Sequence, residues 1–269
     1  MELDRIYNED CLEGMRRIAD GSVDCIIADL PYGVLNKGNG DARWDNVIPL
    51  EEMWREFKRV VKKDGAILLF GQGMFTAQLM VSNEKMWRYN ITWDKMRKTG
   101  FLNAKKMPLR QTETISVFYK QQPTYNPQMT KCEPHQRNHG RGRQGKVQTN
   151  RCYGKFGNMP TVISDEKYPT DIVRFQRNVH GALHPTQKPV ELMEYLVRTY
   201  TKEGDVVLDP CIGSGTTAVA CVRTGRRYVG FEVERGWWEY AVERVEEEKR
   251  KGTLAVILGE SEENMIAKI

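Results

Sequence analysis

No stretch of this chain approaches the roughly 20 consecutive apolar residues that a membrane-spanning helix needs. Met1-Glu2-Leu3-Asp4-Arg5 also lacks the basic-then-apolar order of a secretory signal. Together these absences lead us to expect a cytoplasmic protein with no membrane partner. Cysteine is sparse: Cys11, Cys25, Cys132, Cys152, Cys211 and Cys221 are scattered without dense pairing. That speaks against a secreted disulfide framework and for reduced thiols. No internal repeat is found, which leaves out stacked-repeat architectures.

What is present is a chain of 269 residues, 40% hydrophobic and 29% charged, a balance that suits a soluble globular protein. The length accommodates one α/β domain with an insertion but not two large catalytic domains. The net charge of +5 is unevenly placed, because residues 121 to 180 hold ten Lys/Arg against four Asp/Glu and the remainder sums to −1.

Val23-Asp24-Cys25-Ile26-Ile27-Ala28 is β-branched and mostly apolar, the pattern of a strand buried on both faces, and it stops at Asp29-Leu30-Pro31-Tyr32-Gly33. Residues 36 to 46 read as a loop. Leu50, Met53, Trp54, Phe57, Val60 and Val61 recur at helical spacing, closing at Lys62-Lys63-Asp64-Gly65. Ala66 to Phe70 is the next buried strand. Strand, helix and strand in this order predict a βαβ unit and a parallel sheet. Tyr89 to Trp93 and Thr114 to Tyr119 read as an antiparallel pair joined by a basic loop containing Lys95, Arg97, Lys98, Lys105, Lys106 and Arg110.

From 121 to 180 the chain turns rich in proline, glycine and arginine and reads as an insert between a first half, 1–120, and a last half, 181–269. Order returns with a helix carrying Leu192, Met193, Leu196, Val197 and Tyr200 on one face, then a strand at Val206 to Leu208, a helix at Thr216 to Thr224 and a strand at Tyr228 to Phe231. The predicted fold is α/β, a doubly wound and mostly parallel sheet with an inserted basic region.

Asp209-Pro210-Cys211-Ile212-Gly213-Ser214-Gly215-Thr216 lies between a strand and a helix, where glycines permit a tight turn and bring backbone amides close to a ligand. Glu232 ends the following strand, 17 residues after Gly215. A carboxylate there can accept both hydroxyls of a ribose, so the pair reads as a nucleoside site. The spacing Gly213-x-Gly215-x-x-Ala218 also satisfies a relaxed dinucleotide fingerprint, which leaves a nicotinamide cofactor open. In Asp29-Leu30-Pro31-Tyr32, the Asp29 carboxylate and the Leu30 carbonyl can accept hydrogen bonds from an exocyclic amino group, and Tyr32 offers a flat face for stacking.

These residues resemble the S-adenosylmethionine-dependent DNA amino-methyltransferases (N6-adenine/N4-cytosine), in the beta group whose catalytic motif precedes the cofactor motif. Asp29-Leu30-Pro31-Tyr32 resembles that family's Asp-Pro-Pro-Tyr, and the 209–215 loop its Asp-Pro-Phe-x-Gly-Ser-Gly. His184-Pro185-Thr186-Gln187-Lys188-Pro189 matches the element that precedes the cofactor loop. Asn8-Glu9-Asp10-Cys11-Leu12 is similar to the segment near the cofactor adenine, and Asn90 to Lys95 to the strand continuing the base pocket. Leu30 departs from the first proline and Cys211 from the usual aromatic or aliphatic residue.

The resemblance implies a Rossmann-like methyltransferase fold and S-adenosyl-L-methionine as cofactor. It implies Asp29, Leu30, Pro31 and Tyr32 as catalytic residues, with Asp10, Cys11, Asp29, His184, Thr186, Lys188, Asp209, Pro210, Cys211, Gly213, Ser214, Gly215, Thr216 and Glu232 around the cofactor. It further implies methylation of adenine N6 in a specific sequence of duplex DNA, the target base being extruded. Cytosine N4, and an RNA or single-stranded substrate, stay open, as do a nicotinamide-dependent oxidoreductase and a DNA binder without activity. Trp93 and Lys95 are expected at the target base, although Trp93 equally suits a core position. Arg137, Arg141, Arg143 and Arg151 in the insert are expected on DNA. Cys132, His135, His139 and Cys152 have a spacing that could close a zinc site, but their order is unusual and no metal is expected. A homodimer and a partner restriction endonuclease are both compatible with the chain.

Overall fold

The computed structural model describes residues 1–33, 46–137, 148–150, 154–156, 162–176 and 187–257. Two compact units divide the chain, one formed by Met1–Asn126 and Asp171–Ile269, the other by Pro127–Thr170.

The first unit opens with β1 (Arg5–Tyr7), α1 (Cys11–Met15), β2 (Val23–Ala28), α2 (Leu50–Val60), β3 (Val61–Gly71), α3 (Met74–Ser82), β4 (Trp87–Thr99) and β5 (Arg110–Phe118). The second unit holds two antiparallel pairs. One joins β6 (Thr130–Arg137) to β9 (Val162–Lys167), the other β7 (Gln148–Asn150) to β8 (Gly154–Phe156). The chain returns to the first unit with β10 (Ile172–Arg174), α4 (Val190–Tyr200), β11 (Val206–Asp209), α5 (Thr216–Arg223), β12 (Arg227–Phe231) and α6 (Arg235–Ile257). Residues 121–126 and 171–176, which the sequence reading assigns to the insert, therefore lie with the sheet domain. Ile172–Arg174 pair in parallel with Thr92–Asp94, and that register makes them an edge strand.

The eight-stranded sheet has the order β1-β12-β11-β2-β3-β5-β4-β10. Every neighbouring pair is parallel except the two made by β5. Alternation along the buried strands explains the two layers of helix. Cys25, Ile27, Ala66, Leu68, Phe70 and Val207 point into a core with α4, α5 and α6. Ile26, Ala28, Ile67, Leu69, Leu208 and Val229 point into a second core with α1, α2 and α3. Helix α2 fits its place for local reasons as well. Glu51 and Glu52 sit in its first turn and Lys58 and Arg59 in its last, both favourable to the helix dipole.

Half of the expected basic loop after Trp93 is strand. β4 continues to Thr99, with Asp94 opposite Thr112 and Thr99 opposite Arg110, so Lys95, Arg97 and Lys98 lie on a long hairpin. Among the described residues, no helix is long and apolar enough to cross a membrane.

Candidate active site

In a parallel sheet the strand ends that carry ligands gather at one edge. Here β11 pairs directly with β2, Leu208 beside Ile26. That register sets the glycine loop after Asp209 next to the Asp29 turn, although 179 residues of chain separate them. β12 and β1 bring Glu232 and Asp10 to the same edge.

A cavity of about 330 Å³ opens there, with Asp10, Asp29, Pro210, Gly213, Glu232 and Trp237 in its wall. The wall holds five carboxylates, the others being Glu9 and Glu234, and no Lys or Arg among its described residues. Phe231, Ile48 and Pro210 add apolar surface. Glu232 accepts hydrogen bonds from the Gly213 amide at 3.0 Å and the Glu234 amide at 2.9 Å. Burial pushes its carboxyl above the usual range, and those amides counter the shift only in part. Asn8 steadies this corner by donating to the Glu232 carbonyl at 2.8 Å. Asp10 caps α1, accepting from the Leu12 amide at 2.8 Å. The Cys211 thiol is pushed well up by its hydrogen bond with Cys11 and by burial, and both cysteines of this wall pack as small apolar side chains on the α1–α3 side of the sheet.

The glycine loop has two sides. Gly213, at φ +52° with open space where a Cβ would stand, faces the cavity. Gly215, at φ +79°, packs against Ala241 of α6, where a Cβ would come within 3.1 Å of the Ala241 Cβ. Ser214 and Thr216 are buried beside it, and Arg244 of α6 donates to the Ser214 carbonyl at 2.9 Å and to Thr216 Oγ1 at 3.0 Å. The Ser214 carbonyl and the Thr216 hydroxyl thus tie the loop to α6. Asp209 accepts from the Cys211 amide at 3.0 Å and from Thr217 Oγ1. Full burial, with smaller contributions from Asp29 and Glu232, pushes its carboxyl up to about 7 against those two bonds.

At the Asp29 turn, Tyr32 donates to Asp29 Oδ1 at 2.8 Å and its ring lies 4.7 Å from that of Phe75, centroid to centroid. The Leu30 side chain is buried in the core on the α1–α3 side, which anchors the backbone where a proline would otherwise stiffen it. Lys188 donates to Asp29 Oδ2. The same ammonium lies 3.5 Å from Glu113 Oε2 and 5.0 Å from the centre of the Phe70 ring. Glu113 Oε1 in turn accepts from Lys95 at 3.2 Å. Four alternating charges, Asp29, Lys188, Glu113 and Lys95, therefore cross the sheet edge in line.

Trp93 and Lys95, both expected at the target base, are buried side chains. Trp93 is a core residue, 1% exposed, with its indole N–H donated to the Phe175 carbonyl at 2.9 Å. Lys95 is 3% exposed and spent on Glu113, because its position on β4 turns it into the sheet edge instead of toward solvent. His184, Thr186, Arg141, Arg143 and Arg151 lie outside the described residues, as do most of residues 36 to 46. Arg137 and His135 are placed by their backbone on β6, and Cys132 is half-buried on the same strand. His139 and Cys152 also lie outside the described residues, and among those described no group of His, Cys, Asp and Glu could hold a metal ion. Glu113, Trp237 and Arg244 escape the sequence reading. Glu113 could have been found only through its register opposite Trp93.

Comparison with known proteins shows the family and agrees with this fold. Residues 23–243 match the model of the N6/N4 methyltransferase family, described as DNA methylase. The chain is 29% identical to the type II methyltransferase M.HinfI of Haemophilus influenzae, across 92% of this chain and 69% of that protein. It is also 29% identical to the type II methyltransferase M2.DpnII of Streptococcus pneumoniae, across 90% of each. Among solved structures, the M1.HpyAVI–SAM complex superposes with a TM-score of 0.59 at 22% identity, covering 90% of this chain and 98% of that one. The cytosine-N4-specific PvuII DNA methyltransferase superposes with a TM-score of 0.62 at 14% identity, covering 91% of each. At those identities the two structures speak for the fold.

Proposed function

The chain belongs to the N6/N4 DNA methylase family, and from that premise we propose that it transfers a methyl group from S-adenosyl-L-methionine to the exocyclic N6 of adenine in a specific sequence of duplex DNA. The observation that carries this reading is the Asp29 turn opening into the same acidic cavity as Glu232.

The residues fit the donor. Two of the five wall carboxylates are paired, Asp29 with Lys188 and Glu9 with Arg17, but Asp10, Glu232 and Glu234 keep the wall acidic, which favours a ligand of net positive charge over the pyrophosphate of a nicotinamide dinucleotide. That contrast weighs against an oxidoreductase built on the same glycine loop. The Glu232 carboxylate uses one backbone amide on each oxygen and keeps lone pairs for ribose hydroxyls. Phe231, Ile48 and Pro210 offer apolar surface to a purine. M1.HpyAVI was crystallised as a SAM complex, which supports the same donor here. When bound, the cofactor supplies an electrophilic methyl group on a sulfonium.

The chain's own groups then act on the base. An amino nitrogen conjugated with its ring is a weak nucleophile. Hydrogen bonds from it to the Asp29 carboxylate and the Leu30 carbonyl localise its lone pair toward the donor. Tyr32, fixed by Phe75 and by its bond to Asp29, presents a face on which the extruded base stacks. Lys188 balances the Asp29 charge and holds the carboxylate in place. The rate advantage comes from position and electrostatics, with no covalent enzyme intermediate. Aspartate at the first motif position supports adenine, and the basic unit Pro127–Thr170 is read as the part that selects the sequence. Both curated relatives are named type II methyltransferases, which supports a DNA-modifying role of that kind.

Incubation with methyl-labelled S-adenosylmethionine and mixed duplex DNA, followed by nucleoside mass spectrometry, tests the proposal. N6-methyladenine is expected. N4-methylcytosine would preserve the chemistry and overturn the base, and unlabelled DNA in the presence of bound cofactor would overturn the activity.

A further inference from the structure

The β4–β5 hairpin runs past the catalytic edge, and its end has a composition unlike the rest of the domain. Residues 96–110 contain Arg97, Lys98, Lys105, Lys106 and Arg110 and no acidic residue. Apolar side chains stand in the open among them, Phe101 77% and Leu102 84% exposed. A free apolar pair at a loop tip would collapse if it could, but this tip is held. Gly100, at φ +88°, starts a 3-10 turn over Phe101–Asn103. The Ala104 amide bonds to the Phe101 carbonyl at 3.0 Å and the Lys106 amide to that of Asn103 at 2.8 Å. At the base, Thr99 Oγ1 donates to the Arg110 carbonyl at 3.1 Å, and Gln72 Nε2 donates to that of Thr112 at 3.1 Å. Met96, at φ +53° with its amide on Asp94 Oδ1, marks the register shift that bends the strand there.

An ordered apolar point ringed by cations suits a partner with an anionic rim and flat, stacked apolar faces inside it. Duplex DNA has that form: phosphates take the lysines and arginines, and apolar side chains enter between base steps. The position of the hairpin favours DNA over other polyanions. Its base carries Glu113, whose partner Lys188 also holds Asp29. We infer that the hairpin tip is a DNA wedge, in which Phe101 and Leu102 enter the base stack beside the target nucleotide and hold open the space it vacates while the flanking cations grip the backbone. The inference rests on the methyltransferase reading above and deepens it by naming the element that extrudes the base.

The decisive comparison uses F101S/L102S, whose positions are so exposed that the fold is not at stake. Wild type and variant methylate a duplex carrying the sequence modified by the wild type, and the same duplex with an abasic site opposite the target. On the intact duplex the variant should lose about tenfold or more in kcat/KM, and on the abasic duplex it should return to within about threefold of wild type, since that base has no pair to break. Equal rates on the intact duplex would overturn the wedge, and so would equal losses on both. A K105E/K106E variant should bind a fluorescein-labelled random-sequence duplex about fivefold or more weakly, with a shallower salt dependence. Unchanged affinity would overturn the hairpin as a DNA contact even if the wild type proved unable to methylate, an outcome that would itself defeat the activity alone. A change of mass in sedimentation with DNA affinity intact would reassign the tip to self-association.

Discussion

Lys188 donates to Asp29 Oδ2 from the turn before α4, and its ammonium lies 3.5 Å from Glu113 Oε2 on β5. One cation thereby ties the Asp29 turn to the base of the hairpin. With only 10% of its side chain exposed, Lys188 shields two carboxylates from each other. K188M would leave Asp29 without its cation and Glu113 with Lys95 alone, and we expect a loss of about 3 kcal/mol in stability together with a large fall in turnover. K188R should recover most of the stability and less of the turnover, because a planar guanidinium keeps the charge but not the geometry. Urea unfolding and kcat, measured on the same preparations, check this.

Asp29 is expected to act on the base and not on the fold. D29N keeps the volume and the bond from Tyr32 but loses the anionic acceptor. Single-turnover methyl transfer should fall by about 10²–10³-fold, while DNA affinity measured by anisotropy stays near wild type. An unchanged transfer rate would remove Asp29 from the mechanism.

Much of this arrangement is legible in the sequence because it is local. The apolar runs at Val23–Ala28 and Val206–Asp209 announce buried strands, and the turns that follow them carry the two strongest motifs. What brings those turns together is the pairing of β11 with β2, which no local pattern encodes. Short elements such as β1 and α1 lack a window long enough to show a period. Helix α3 hides for another reason: Met74 and Val81 lie on its exposed side, so it has no clean stripe. Lys95 looks like a DNA contact in sequence because charge is visible there and burial is not. Its partner Glu113 is distant in the chain and adjacent only through the hairpin register.

The two glycines of the 209–216 loop should fail differently. G215A places a Cβ 3.1 Å from that of Ala241 at a φ of +79°, so crowding adds to backbone strain. A loss of about 2–3 kcal/mol in stability is expected. G213A meets open space at φ +52° and should cost about 1 kcal/mol. Because that methyl enters the cavity wall, its main effect should be weaker binding of S-adenosylmethionine. Thermal unfolding and calorimetric titration of each variant separate the two, and similar behaviour would contradict the two-sided loop.

Asp209 supplies a pH signature that follows from burial. Its carboxyl is pushed up to about 7 in the folded protein, against about 3.9 in an unfolded chain. Between those values the folded state holds a proton that the unfolded state has released, so unfolding releases it and stability falls as pH rises. The contribution is fully present below about pH 4 and is gone once the pH passes the folded value. Glu232 is raised in the same sense by burial and adds to the trend. D209N keeps an acceptor for the Cys211 amide and cannot titrate. Across pH 5 to 7.5, wild-type stability should therefore decline relative to D209N by a few kcal/mol. Chemical unfolding of both proteins at matched ionic strength gives that difference directly. Parallel curves would mean that Asp209 is ionised in the folded protein, and that the bonds from Thr217 and the Cys211 amide outweigh its burial.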